Sequence, residues 1–369
     1  MVAGMDILVS GAGIAGTTVA TLLARHGCAV TVVERSVGQR SSGNPVDVRG
    51  PAYPVAERLG IVPALRKAAT QVRGMLFVDA DGRQVGRVPL GVIGGPQVEV
   101  PRGDLARILW DVGRDDADYL FDTSISSLAA DPAGVDVLLS SGVFRRFDYV
   151  IGADGLHSAV RSLAFGPESA FVRHLGLYVA TVPVDGSLDP GFVVMHNVPG
   201  KSLALHPGSG TPIAAFIWRS PEIPGLDYRD AGQHRRVLRD AYASVGWRAP
   251  ALLDSLGDDL YFDAVSACVV PRWSSGRVAL LGDAASCVSL FGEGSSLAMA
   301  GAATLADTLA AGGSLADYEA AHRRLVTPRQ RSMGFASRLI VPATATGLFL
   351  RNTLSRFIPA PRPTVSCRP

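Results

Sequence analysis

The sequence predicts an α/β chain in which a Rossmann-type domain with a parallel sheet is interleaved with an antiparallel-sheet domain and followed by a C-terminal helical segment. Three observations carry this. The apolar runs DILVS (6–10), DYVIG (148–152) and RVALLG (277–282) each reach a glycine followed by small residues, as strands covered on both faces do. Between 176 and 219 the rhythm changes to LYVATVPV, GFVVMHNV, KSLALH and PIAAFIWR, separated by Asp185-Gly186, Pro199-Gly200 and Gly208-Ser209-Gly210, which predicts an antiparallel meander. The 41 glycines exceed the roughly 26 that average usage gives for 369 residues, so many turns and close backbone approaches are expected.

In chain order, the strand at 6–10 turns through glycines into a helix over 14–26 that stops at Gly27, and AVTVV (29–33) is the second strand. Residues 74–88 read as a hairpin around Asp81-Gly82. After the meander, 227–245 and 247–256 read as helices and 259–270 as a further strand. The alanine-rich stretch 295–311 is helical, and Ser314 caps the next helix with Asp317 as its capping-box partner. The expected division is 1–73, 99–175 and 268–369 for the parallel-sheet domain with C-terminal helices, and 74–98 and 176–267 for the antiparallel, substrate-binding domain.

With 47% hydrophobic and 18% charged residues the chain is too apolar to be disordered. A net charge of +2 and only two lysines, Lys67 and Lys201, give no basic patch for nucleic acid. Cys28, Cys268, Cys287 and Cys367 show no CxxC spacing and no companion histidines, so neither a metal site nor a disulfide framework is expected. The N-terminus lacks a basic leader region, and the apolar stretch 339–350 is too short to span a bilayer and contains Pro342 and Gly347. The expectation is a cytoplasmic monomer or homodimer without membrane contact.

Gly11-Ala12-Gly13-Ile14-Ala15-Gly16 follows a strand and opens a helix. Gly11 permits the tight turn, Gly13 lets the backbone approach a pyrophosphate, and Gly16 lets helix and strand pack closely. The amides at the helix start, around Ala15, then face the phosphates. The second strand ends in Glu34-Arg35, eighteen residues past Gly16, where a carboxylate can accept ribose hydroxyls. Either FAD or NAD would fit this fingerprint alone. Two further glycine–acid pairs favour FAD: Asp154-Gly155 in GADGLHSAVR (152–161), and Gly282-Asp283 in LGDAASCVSLFGEGSSLAMAGA (281–302). Each places an acid at the end of a parallel strand, and a dinucleotide crossing three strand ends must be long. The Gly292-Glu293-Gly294 turn can offer backbone N–H groups to an anionic ring edge.

This ordered set of motifs resembles the single-component, class A FAD-dependent aromatic monooxygenases, the p-hydroxybenzoate hydroxylase-like family, over roughly residues 5–325. The resemblance implies FAD, NADPH or NADH as transient co-substrate, O2, and no separate nicotinamide domain. It implies that Arg102 contacts FAD ahead of a helix, that Asp154 belongs to a stretch tied to FAD and NAD(P)H, and that Asp283 holds the ribityl chain. No catalytic side chain is singled out. Backbone groups near Gly292, Gly294 and Ser295 would stabilise the charged flavin ring, and a flavin C4a-hydroperoxide would pass oxygen to an aromatic ring.

The chain departs from the family pattern in the stretch from Ser286 to Gly294, which lacks the usual prolines. It departs again in RSSGNPVDVRG (40–50), where Ser41 and Ser42 stand in place of an arginine. Glu293 would oppose an anionic reduced flavin unless its side chain points away. His196, His206, Phe216, Trp218, Leu290 and Phe291 are the candidate substrate contacts, and the apolar meander suggests an aromatic, polycyclic or polyketide-like substrate. Baeyer–Villiger oxidation and an FAD-dependent reductase or oxidase, such as a prenyl-chain reductase, are the alternatives.

Overall fold

The computed structural model describes residues 4–38, 44–89, 96–287 and 293–355. The chain begins with β1 (Asp6–Ser10), α1 (Ile14–Arg25), β2 (Ala29–Val33), β3 (Val46–Arg49), α2 (Ala52–Leu59) and α3 (Val62–Ala68). The hairpin β4 (Gly74–Val78) and β5 (Gln84–Pro89) follows, then β6 (Gln97–Val100), α4 (Arg102–Gly113) and β7 (Asp118–Leu120). Next come β8 (Ile125–Ala130), β9 (Val135–Leu139), β10 (Phe144–Phe147), β11 (Tyr149–Gly152) and α5 (Ala159–Ala164). The long β12 (Val172–Pro183) leads to β13 (Phe192–Val198), β14 (Lys201–His206), β15 (Ile213–Arg219), α6 (Ala231–Tyr242) and α7 (Ala249–Asp254). The chain finishes with β16 (Tyr261–Cys268), β17 (Ser274–Ser275), β18 (Val278–Leu280), α8 (Asp283–Ser286), α9 (Glu293–Ala310), α10 (Leu315–Ile340) and α11 (Ala345–Ser355).

Contacts divide the chain into two units. The first comprises Met1–Ala68, Val98–Leu175 and Ser266–Gly334, and the second Ala69–Gln97, Gly176–Val265 and Phe335–Pro369. The C-terminal residues fall with the second unit, where the sequence places them with the first. The reason is local: α11 packs on β5 and β13, Arg219 Nε donates to Val341 O at 2.7 Å, and Gly200 N donates to Pro342 O at 2.9 Å.

The first unit is built on a sheet in the order β17-β18-β11-β1-β2-β7, with every pair parallel except β17–β18. Its strands β1 and β2 are buried from their second residue on and mostly apolar, as strands covered on both faces are. Residues 14–23 of α1 are all buried, and their small side chains, Ala, Gly and Thr, let α9 and α4 approach closely on different sides. A three-stranded antiparallel sheet, β10-β9-β8, and the pair β3–β6 complete the unit. The sequence reading assigns nothing to either.

The second unit holds a seven-stranded sheet in the order β16-β12-β15-β14-β13-β4-β5. It corrects the expected meander in two respects. β12 pairs with β15 instead of with β13, and β13 pairs in parallel with β4 of the earlier hairpin. The turns at Pro199-Gly200 and 207–212 are short and join neighbours, whereas the longer 184–191 connection carries the chain across in Greek-key order. One sheet face, with Tyr178, Leu203, Phe216 and Trp218, packs against Leu238 and Tyr242 of α6 and Leu252 of α7. Asp230 caps α6 by accepting from Gln233 N at 2.9 Å. Among the described residues no helix is long and apolar enough to cross a membrane, and no His, Cys, Asp and Glu side chains cluster to hold a metal.

Candidate flavin site

The ends of β18, β11, β1 and β2 lie side by side in the sheet of the first unit, and Gly282, Asp154, Gly11 and Glu34 follow those four ends. Gly11 leaves β1 at φ +102° and its N–H donates to Val33 O at 2.7 Å. A Cβ on Gly11 would fall 2.6 Å from Ala153 O, so the turn after β1 lies against the turn after β11. A Cβ on Gly16 would fall 1.8 Å from Gly11 O, which makes this glycine a packing requirement of the turn itself. Gly13 is different. A Cβ there would meet no protein atom within 4 Å, although Gly13 is the N-cap of α1. Nothing in the protein crowds this position, so it leaves the approach to the α1 amides open, as a pyrophosphate requires.

Glu34 closes the turn from the β2 side. Its Oε2 accepts from Ala12 N and its Oε1 from Ser36 N, both at 2.9 Å. Each carboxylate oxygen retains a further lone pair for a ribose hydroxyl. Arg35 beside it is exposed.

Asp154 follows β11 and turns inward. Its Oδ1 accepts from Ser158 Oγ at 2.5 Å, and its Oδ2 from Val160 N at 3.1 Å and Ser10 Oγ at 3.4 Å. Burial pushes its carboxyl above the usual range, opposed by the Ser158 hydroxyl and the Val160 N–H. It therefore fixes the loop through Gly155 to the start of α5 and to the end of β1.

Gly282 adopts φ +64° at the end of β18, where a Cβ would lie 3.0 Å from Ala15 Cβ and 3.7 Å from Ala298 Cβ. Asp283 is the first residue of α8 and half-buried. Gly294 and the buried Ser295 form the first turn of α9. Ala15 in the first turn of α1 and Ala298 in the second turn of α9 thus both lie against Gly282. Arg102 begins α4, which packs on α1. Gly292, Leu290 and Phe291 lie outside the described residues. The separation of three strand ends by glycine-lined turns, with an acid at each, fits an extended FAD.

Sequence reasoning passed over Arg161, the last residue of GADGLHSAVR. It is fully buried, and donates to Leu156 O at 2.6 Å, Ala284 O at 3.2 Å and Glu168 Oε2 at 3.0 Å. It thereby ties the turn after β11 to the helix after β18. The available signal was an arginine following an apolar helical start.

Four of the expected substrate contacts lie in the second unit. Phe216 and Trp218 are buried against α6, with the Phe216 ring edge-on to Tyr242 at 4.9 Å, so both belong to the core and offer no surface to a ligand. The alternation along β15 puts them on the helix-covered face with Ala214. His196 shares that face: its Nδ1 is 3.1 Å from Val78 O and its ring 5.9 Å from Trp247. His206 alone points to the opposite face, which carries Phe77, Val193, Met195, Ala204 and Ala215. Its Nδ1 accepts from Gly208 N at 3.0 Å.

A family profile described as FAD binding domain matches residues 4–327. An uncharacterised protein of Mycobacterium tuberculosis is 41% identical over 324 residues, covering 85% of this chain and 86% of the relative. A flavin-dependent monooxygenase of Legionella longbeachae is 33% identical over 314 residues, 83% of this chain and 80% of that protein. Among solved structures, the tetracycline destructase Tet(51) superposes with a TM-score of 0.83 at 29% identity, covering 97% of this chain and 99% of that one.

Proposed function

The chain belongs to the FAD-binding-domain family of flavin-dependent monooxygenases, and from that premise we propose that it consumes NADPH or NADH to place one atom of O2 on an apolar, polycyclic aromatic small molecule. Bound FAD supplies the electron transfer and the oxygen activation. The protein's part is to hold and orient. In this reading Glu34 takes the ribose of the adenosine, the amides from Gly13 to Ala15 take the pyrophosphate, Asp283 takes the ribityl chain, and Asp154 with Arg161 keeps the intervening loop in shape.

One observation carries the substrate class. The sheet face opposite α6 and α7 bears an apolar cluster of Phe77, Val193, Met195, Ala204 and Ala215, over which Arg351 of α11 lies 4.0 Å from the Phe77 ring. A flat polycycle lodged beside this cluster would gain through burial, without needing a charged partner. The similarity to a tetracycline destructase, whose name states a polycyclic substrate, supports the same class.

The test is turnover under 18O2 with NADPH or NADH and a panel of tetracyclines, anthraquinones and simple phenols. The expected result is nicotinamide oxidation stimulated by the polycyclic members, with one labelled oxygen in the product. Stimulation by monocyclic phenols alone would overturn the substrate class. Reduction of an added prenyl chain without oxygen incorporation would overturn the reaction type.

A further inference from the structure

Glu293, the first residue of α9, has both carboxylate oxygens taken by guanidinium groups from other elements. Arg49, at the end of β3, donates from Nη2 to Oε1 at 2.7 Å, and Arg329, in α10, donates from Nε to Oε2 at 3.1 Å. Both arginines are themselves held. The Arg49 N–H donates to Ser296 Oγ at 3.1 Å, and Ser296 Oγ donates to Asp47 O at 2.6 Å, which fastens β3 to the first turn of α9. Arg329 Nη1 donates to Leu325 O at 2.7 Å within its own helix. The side chains of Arg49, Glu293 and Arg329 are 26%, 28% and 31% exposed, so the pairs are partly withdrawn from water and hold more firmly than surface pairs. Arg49 Nη1 also lies 3.8 Å from Asp47 Oδ2, and the four side chains sum to zero charge.

An acid in the first turn of a helix ordinarily favours the unpaired N–H groups there, to which it is drawn by the helix dipole. Here each carboxylate oxygen instead accepts from a cation outside the helix. One turn further along, Ala298 of the same helix lies with Ala15 of α1 against Gly282.

We propose that Arg49 and Arg329 are positioning residues that act through Glu293. They neutralise its carboxylate and keep it off the α9 amides, leaving that turn able to meet the reduced, anionic form of the flavin ring. The proposal rests on the FAD reading above. It accounts for an acid at a place where the sequence makes one look unfavourable.

The test titrates apo-protein with FAD by fluorescence and measures the midpoint potential of the bound flavin, in wild type, Arg49→Met, Glu293→Gln and the double variant. Without Arg49, Arg329 alone remains against Glu293 and Asp47, the cluster carries one net negative charge and Oε1 of Glu293 is released, and Arg49→Met is expected to weaken reduced flavin about tenfold more than oxidised flavin. That ratio corresponds to a potential lowered by about 30 mV for a two-electron couple. In the Glu293→Gln background the same arginine change is expected to shift the ratio less than about twofold, because the residue it controls is gone. Equal shifts in both backgrounds, or no shift in Arg49→Met, overturn the proposal. Arg329→Met, expected to show the same dependence on Glu293, serves if Arg49→Met does not fold. Arg49→Lys is expected to restore most of the potential. A wild-type protein that takes up no FAD overturns the flavin reading instead.

Discussion

Replacing Glu34 by alanine removes two hydrogen bonds at once, since Oε2 and Oε1 hold Ala12 N and Ser36 N at 2.9 Å each. A hydrogen bond to a charged acceptor contributes about 1.5–3 kcal/mol net. Glu34 is only half-buried, so water recovers part of this, and the pair together is worth about 2–3 kcal/mol. That loss appears first in the apo-protein, whose unfolding temperature is expected to fall by several degrees. It appears again in cofactor binding, because the turn that presents the α1 amides is loosened and a ribose acceptor is gone. At 1.4 kcal/mol per tenfold, a comparable loss there weakens FAD by roughly 30- to 150-fold. Glu34→Gln keeps one acceptor but turns an NH2 group towards the other N–H, and is expected to fall between alanine and wild type. Calorimetry of the apo-protein and a fluorescence titration with FAD read the two effects. A Glu34→Ala protein with wild-type melting and wild-type FAD affinity would refute the reasoning.

Further expectations separate structure from ligand binding. Gly16→Ala, which forces a Cβ to within 1.8 Å of Gly11 O, is expected to disrupt the turn and destabilise the apo-protein. Gly13→Ala meets no protein atom within 4 Å, so apo stability should drop by no more than about 1 kcal/mol while FAD binding weakens at least tenfold. Equal effects of the two on apo melting would count against this division. Phe216→Leu is expected to lower stability by about 1–2 kcal/mol and leave substrate preference unchanged, because the ring packs under α6. An altered preference at unchanged stability would return Phe216 to the substrate site. His322 in α10 is 3% exposed, and burial, helped by the Arg329 charge, holds its pKa down to about 4. Its unfolded value is higher, so the unfolded chain gains the proton first: stability is complete above about pH 6.5 and falls as the pH drops towards 4, by at most about 3 kcal/mol. Melting scans across that window should therefore be flatter for His322→Gln than for wild type, and parallel curves would contradict this.

The parallel sheet and its cradle were legible because they depend on local rules. Glycines at 11, 13 and 16, followed by an acid at the end of the next strand, constrain a turn whose geometry is set within about thirty residues. The strand-end acids Asp154 and Asp283 announced themselves in the same way. The capping box also formed, with Ser314 N donating to Asp317 Oδ2 at 2.8 Å and Asp317 N to Ser314 Oγ at 3.2 Å.

What stayed hidden depends on contacts between residues far apart in the chain. Nothing local in β15 says whether Phe216 or Ala215 faces α6, because that follows from its pairing with β12 and β14. The pairing of β13 with β4 joins strands more than a hundred residues apart, beyond any turn signal. Glu293 could be judged only once Arg49 and Arg329 were seen beside it, and neither is near it in sequence. The three short strands β8, β9 and β10 were missed for another reason. Apolar Phe144 and Leu138 stand exposed on the outer face while Arg145 lies on the inner one opposite Val137, which blurs the alternation that would mark these strands.

One FAD is expected to lie across the strand ends of the first unit. This is tested most directly by the flavin content of purified protein and by titration of the apo-protein with FAD. A yellow protein that binds one FAD per chain, and loses it on Asp283→Ala, is the predicted result. A colourless protein that takes up no added FAD would contradict a flavin site at these strand ends.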